Sequence, residues 1–237
     1  MKKYFFFYIL LLLPIIGIAQ TYKYIDVEDG LSNRRVYAIQ KGPKGYMWFL
    51  THDGIDRYSG KDFKSYKLME EVNSMMNLNW LYVDPKGTIW EIGKKGRVFR
   101  YDTRHDRFVL VYKLPENEVK GRPTPISYGF VDANSVIWLC NEDALYLYDS
   151  NTQKVTFIQN EIKERITNIV QIDSTHFFIG TDIGIHYAEL ENNVLTLSPC
   201  DQLDTLKVQI NELYYHKPSR KVFIGTFQRG IFVYDLN

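Results

Sequence analysis

Along most of the chain, apolar residues come in runs of four to six, rich in Val, Ile, Tyr, Phe and Trp and separated by Gly, Pro, Asp and Asn. Runs of that length between turn residues predict β-strands, and no segment keeps the 3.6-residue spacing of a helix. Past residue 30 one phrase returns. It first reads Val36-Tyr37-Ala38-Ile39, a turn through Gly42-Pro43-Lys44-Gly45, Trp48-Phe49-Leu50-Thr51, then Gly54-Ile55-Asp56-Arg57-Tyr58. Later copies centre on Trp90, Trp138, Phe178 and Phe223, so the aromatic anchors follow one another at steps of 42, 48, 40 and 45 residues. A period in that range marks a solenoid, a propeller or an array.

Each copy but the last carries a fourth apolar run: Phe63–Tyr66, Phe108–Tyr112, Val155–Ile158 and Val194–Leu197. Four antiparallel strands in such a period specify a propeller blade. The fold expected is therefore all-β, a β-propeller of four-stranded blades at about 31–70, 77–114, 124–160, 165–198 and 207–237. The fifth copy stops after its third strand, and a lone strand at residues 21–27 is expected to complete it. That pairing would close a five-bladed ring; the alternative is part of a seven-bladed propeller. Trp48, Trp90 and Trp138, equivalent in the repeat, are expected to pack between blades, whereas Trp80 lies outside that register.

The first residues differ: Lys2 and Lys3, an apolar stretch from Tyr4 to Ile18, then Ala19 before Gln20. This is the order of a cleaved secretory signal peptide, here residues 1–19, and the apolar stretch is short for a membrane span. A periplasmic mature chain without a membrane span is expected. Its roughly 215 residues can bury an adequate core without a disulfide, and Cys140 and Cys200 fall at unlike points of the repeat, so two unbridged thiols are expected. With 29 basic and 28 acidic residues the net charge is +1, which gives no overall field to gather nucleic acid. The five histidines show no metal-ligand spacing, no glycine-rich phrase precedes a helix that could hold phosphate, and no cofactor is expected. Asp84-Pro85-Lys86-Gly87-Thr88-Ile89-Trp90 reads as an ordinary β-turn.

The phrase Phe178-Ile179-Gly180-Thr181 with Gly184-Ile185-His186-Tyr187, repeated from Phe223 to Tyr234, resembles the two-component regulator propeller repeat. The opening Tyr24-Ile25-Asp26-Val27-Glu28-Asp29-Gly30-Leu31-Ser32-Asn33 is similar to the start of such proteins after their signal peptide. The resemblance spans nearly all of residues 22–237. It implies the periplasmic sensor region of a Bacteroidetes hybrid histidine kinase, which detects glycan breakdown products and forms a homodimer when part of a full-length sensor. Such proteins carry two seven-bladed propellers, a β-sandwich domain, a membrane helix, a kinase core and a DNA-binding end. This chain has no later transmembrane stretch, phosphoacceptor helix or nucleotide-binding glycine box, so it is read as a fragment of such a regulator or a short free-standing relative.

In a propeller, the loops from second to third strand and from blade to blade crowd one end of the axis, and function on such scaffolds sits in loops. The loops here carry Asn33, Arg34, Arg35, His52, Asp53, Lys94, Lys95, Asn141, Glu142, Asp143, Asp182, Gln228 and Arg229. Of these, Arg34, Arg35, His52, Asp53, Lys94, Lys95, Glu142, Asp182 and Arg229, together with Trp80, are the expected ligand-binding set, a mixture suited to sugar hydroxyls or acidic sugars. Glycosidase chemistry would need two convergent carboxylates. Glu91, Glu142, Asp53 and Asp182 belong to different blades, and no catalytic residue is assigned. The competing functions are a propeller lyase or glycosidase and a protein-interaction scaffold.

Overall fold

The computed structural model describes residues 22–68, 78–115, 125–200, 203 and 205–237. Among them, strands form five antiparallel sheets arranged as the blades of a β-propeller, and the only helical pieces are three short 3-10 turns. The first sheet comprises β1 (Val36–Lys41), β2 (Met47–Thr51), β3 (Gly54–Tyr58) and β4 (Phe63–Tyr66). The second comprises β5 (Leu78–Val83), β6 (Ile89–Gly93), β7 (Arg97–Asp102) and β8 (Arg107–Lys113). The third has β9 (Tyr128–Val131), β10 (Val136–Cys140), β11 (Ala144–Asp149) and β12 (Lys154–Gln159), and the fourth β13 (Ile166–Gln171), β14 (His176–Thr181), β15 (Ile185–Glu191) and β16 (Val194–Ser198). The fifth holds β17 (Ile210–His216), β18 (Lys221–Thr226) and β19 (Ile231–Asp235).

Strands pair in chain order within every sheet. The first strands of successive sheets pack in the series β1, β5, β9, β13, β17, which makes them the inner strands. Four apolar clusters fill the four spaces between consecutive sheets. Trp48, Leu50 and Ile55 meet Leu81 and Ile89; Trp90, Ile92 and Val98 meet Val131, Ile137 and Leu139. Trp138 and Leu145 meet Ile169, Phe177 and Ile179, and Phe178 and Ile185 meet Ile210, Leu213 and Ile224. The tryptophans of the repeat are thus inter-blade packing, all fully buried, and each such side chain stabilises the fold by roughly 1.5–3 kcal/mol. Because β6 and β10 are covered on both faces, their sequences are apolar almost throughout.

A buried indole also needs an acceptor, and the turn before it supplies one. The Asp84 carboxylate accepts from the amides of Lys86 and Thr88 and from Trp90 Nε1 at 3.0 Å. Asp132 does the same with Asn134, Val136 and Trp138 Nε1 at 3.3 Å. The segment expected to be an ordinary β-turn is therefore a carboxylate clip that ties turn to core. Burial would raise the Asp84 carboxyl, but the bonds from Trp90 and Thr88 hold it below the usual range. In the first sheet Gly42 takes the place of the aspartate, because a side chain there would collide with Trp48 Nε1, and that nitrogen has no partner among the described residues.

A second clamp joins the outer strands of the first two sheets. Asp106 accepts from Arg57 Nη1 at 2.9 Å, Tyr66 OH at 2.6 Å, Tyr101 OH and Lys64 Nζ. Against a burial effect that raises it, those donors hold the Asp106 carboxyl well below the ordinary carboxylate range.

The early strand does not form. Residue 21 lies outside the described residues, residues 22–26 carry no strand, and Val27–Asp29 is a 3-10 turn. The local chemistry explains why: the Asp26 side chain accepts from Val27 N, Asp29 accepts from Asp26 N, and Gly30 closes the turn at φ 108°. The segment is anchored on the first sheet instead, with Leu31 buried and Ser32 donating through both N and Oγ to Asp56 Oδ2. Among the described residues the fifth sheet consequently has three strands. Among the described residues, the outward faces of the first and fifth sheets both carry exposed large apolar residues. The expected leader, residues 1–19, lies outside the described residues. Cys140 is buried, Cys200 is half-buried beside Tyr234 OH at 3.4 Å, and the two are unbridged.

Candidate functional site

Each second strand ends, and each inner strand begins, at the same end of its sheet. Four of the five turns there are locked by the last residue of the second strand or the one after it. Thr51, Thr181 and Thr226 donate through Oγ1 to the carbonyls of Gly54, Gly184 and Gly230, and Asn141 Oδ1 accepts from the amides of Asp143 and Ala144. Such side-chain turns fix a loop at little length, leaving the residues between to face solvent.

The expected ligand-binding residues lie at this end. Lys94, Lys95, Glu142 and Arg229 are exposed in the second-to-third-strand loops. His52 and Asp53 sit in the first such loop, where His52 N bonds Arg35 O, His52 Nδ1 meets Tyr37 OH at 2.9 Å and Asp53 accepts from Asn33 Nδ2. Arg34 is drawn onto Asp26 at 2.7 Å, and Asp182 pairs with Arg165 at 3.5 Å. These residues thus share an end of the molecule, but Arg34, Asp53 and Asp182 are already engaged by local partners. Glu91, considered as a carboxylate for glycosidase chemistry, is buried in β6.

Trp80 leads to a second group. Opposite Leu50, Ile92, Cys140, Gly180 and Gly225 on the second strands stand Ala38, Trp80, Tyr128, Asn168 and Glu212 on the inner strands. These five positions are equivalent by register. In four of the sheets an irregularity of register immediately precedes them, between Val36/Ala38, Leu78/Trp80, Ile166/Asn168 and Ile210/Glu212. β-Bulges of this kind re-aim side chains and recur beside functional sites.

The side chains form a polar and aromatic band from inner strand to inner strand. The half-buried Trp80 ring meets Tyr128 edge-on at 5.8 Å. Tyr82 OH donates to Gly129 O at 2.8 Å and lies 3.1 Å from Tyr128 OH. Asn168 Nδ2 donates to Glu212 Oε1 at 3.1 Å, and Thr167 Oγ1 donates to Ile210 O. Burial, reinforced by the Tyr128 and Glu212 sides of the band, pushes the Tyr82 phenol well up, and burial pushes Tyr128 up to about 12. Both phenols therefore remain protonated donors at neutral pH. Glu212 stays exposed at the end of the series. Tyr128 and Asn168 are buried, so the half-buried Trp80 ring and the exposed Glu212 carboxylate are the groups of this band open to a ligand, suited to the apolar face and the hydroxyls of a sugar.

Of this band, sequence reasoning found Trp80 and missed Tyr128, Asn168 and Glu212. The signal was spacing: the residue lies ten before the anchor aromatic in four copies and eleven before it in the fifth. Among the described residues, no group of three His, Cys, Asp or Glu is placed to hold a metal, and no helix is long and apolar enough to cross a membrane.

No protein-family profile matches the chain, and no curated protein matches it. Solved structures do. The extracellular domain of BT3049 from B. thetaiotaomicron, described as a hybrid two component system, superposes with a TM-score of 0.60 at 19% identity, covering 90% of this chain and 35% of its own. Virginiamycin B lyase from Staphylococcus aureus gives a TM-score of 0.61 at 15% identity, covering 88% and 72%. YCF48 bound to D1 peptide gives 0.63 at 12% identity, covering 93% and 70%. This chain therefore spans about a third of the BT3049 domain's length. At these identities the likeness establishes the propeller fold.

Proposed function

We propose that this chain is the ligand-recognition propeller of a periplasmic two-component sensor, binding a small glycan-derived oligosaccharide without chemistry, with signalling carried by domains outside it. One observation carries the reading. At the register position after the bulge, where the repeat could have kept one residue, the sheets carry Ala38, Trp80, Tyr128, Asn168 and Glu212. A packing position converges on one residue type; a position that diverges toward rings, amide and carboxylate at the loop end of the axis is suited to a ligand with several distinct polar groups. The exposed Lys94, Lys95, Glu142 and Arg229 lie in the second-to-third-strand loops at the same end of the sheets. That extracellular domains of two-component systems share the fold supports the placement.

A thermal-shift screen against neutral and acidic oligosaccharides tests the proposal. A ligand at 100 times its Kd adds about 2.7 kcal/mol to the folded state, which for a domain of this size raises Tm by roughly 5–10 °C. A panel without any shift contradicts it. Lyase chemistry is the second reading, favoured by the match to virginiamycin B lyase; the same panel, followed for product by mass spectrometry, separates turnover from binding.

A further inference from the structure

One inner-strand position carries an aliphatic residue in every sheet except the third. It follows the variable position by one residue and reads Ile39, Leu81, Gly129, Ile169 and Leu213, paired with Phe49, Glu91, Leu139, Ile179 and Ile224. Leu81, Ile169 and Leu213 are buried, each in the apolar cluster that its sheet shares with the sheet before it. Backbone conformation does not call for the glycine, since Gly129 lies within β9 and its φ is outside the left-handed range. Glycine inside a strand otherwise weakens it, through lost packing and lost chain entropy.

The preceding sheet explains the exception. A Cβ on Gly129 would stand 2.8 Å from Ile92 Cγ2 and 3.0 Å from Trp80 Cε3, both of the second sheet. Trp80 and Ile92 are paired by register, and together they take the room that an aliphatic side chain fills at the other junctions. Size compensates from junction to junction, as close packing requires. Ala38 and Leu50 precede Leu81, Tyr128 and Cys140 precede Ile169, and Asn168 and Gly180 precede Leu213; the bulkiest pair, Trp80 and Ile92, precedes the glycine. The seat is also fastened. Tyr82, two residues along the Trp80 strand, donates through its OH to Gly129 O at 2.8 Å, and the Tyr128 ring meets Trp80 edge-on.

We infer that Gly129 is a positioning residue for Trp80: it gives up the aliphatic side chain of the repeat so that the half-buried Trp80 ring is held in one pose as a preformed stacking surface for one sugar ring. What stacks there rests on the proposed glycan recognition; the seat itself rests on packing. Packing alone has a simpler solution in this same chain, the small Ala38 against the large Leu81. A ring fixed before binding also has little rotamer freedom left to lose when a sugar meets it.

A cycle of variants at 80 and 129 tests the inference, because Trp80→Ala with Gly129→Leu rebuilds the Ala38 and Leu81 combination. Trp80→Ala alone leaves a cavity over Gly129, and Gly129→Leu alone collides with Trp80 and Ile92, so each lowers Tm. The double variant melts above both, the non-additivity expected of residues in contact. Trp48, Trp90 and Trp138 are fully buried, so acrylamide-quenchable tryptophan emission reports Trp80. Gly129→Ala, ordinarily harmless in extended backbone, pushes the ring outward, raises that quenching and shifts the emission to the red. Additive losses of stability in the cycle, or quenching unchanged in Gly129→Ala, overturn the inference. Should Gly129→Leu alone not fold, a double variant melting above Trp80→Ala supports the seat and one melting below it overturns it. Titrated with the neutral and acidic oligosaccharides of the thermal-shift panel, Gly129→Ala binds roughly tenfold more weakly than the parent, and the double variant, though stable, does not bind. A double variant that binds as the parent does overturns the stacking role. A parent that binds no member of the panel contradicts the glycan reading instead, and the cycle and the quenching still decide the seat.

Discussion

Two register positions of the same sheets behave in opposite ways. The anchor position of the second strands reads Trp48, Trp90, Trp138, Phe178 and Phe223, one kind of residue repeated. The inner-strand position after the bulge reads Ala38, Trp80, Tyr128, Asn168 and Glu212, a different residue each time. The first is fixed by what neighbouring sheets must exclude, namely water, and any large flat apolar side chain serves. At the second, Tyr128 and Asn168 are buried too, but Trp80 is left half-buried and Glu212 exposed, and those two are where recognition can be written. In a repeat protein agreement between copies marks packing, and disagreement at a geometrically equivalent point marks a candidate site.

The largest effect expected from this contrast is at the anchors. Trp138→Ala removes a fully buried indole and costs about 3–5 kcal/mol in urea unfolding. Phe223→Ala, on an exposed face, costs under about 1 kcal/mol. Equal losses at the two would mean that position in the repeat, rather than coverage by a neighbour, sets the energy. Next comes the carboxylate clip: Asp84→Ala orphans Trp90 Nε1 and two amides and costs about 1–3 kcal/mol.

A smaller effect follows at Asp106. Its carboxyl is held below its unfolded value, so its contribution is complete above about pH 4 and is lost as pH falls toward the folded value. The side chain is 37% exposed, so solvent screening keeps that contribution modest. Acid titration of stability should therefore fall less steeply in Asp106→Asn than in the parent. A parallel acid limb in the two would show that the Arg57, Lys64, Tyr66 and Tyr101 donors do not act through that charge.

Much of the fold was legible because strand length, Gly-containing turns and the anchor aromatics are local signals. Residues 22–27 were misread for a local reason as well. Tyr22 and Tyr24 alternate with polar neighbours like a strand, but Asp26 and Asp29 cap a turn that competes successfully. The Asp106 clamp was invisible because three of its donors lie 40 or more residues away in sequence. Asp84 and Trp90 were both noticed, yet their contact depends on the turn folding back by one strand. Tyr128, Asn168 and Glu212 carry no motif. Only alignment of the copies to the residue, bulge included, makes them one position.

The most direct test of recognition at the axial band is calorimetric titration of the best oligosaccharide from the screen into the parent chain and Glu212→Gln. Glu212 is exposed, so the substitution leaves the unfolding free energy within about 0.5 kcal/mol of the parent. Loss of a charged hydrogen bond to the ligand should weaken binding at least about tenfold. Unchanged affinity in that variant, with Trp80→Ala equally without effect, would place the ligand elsewhere and contradict the account.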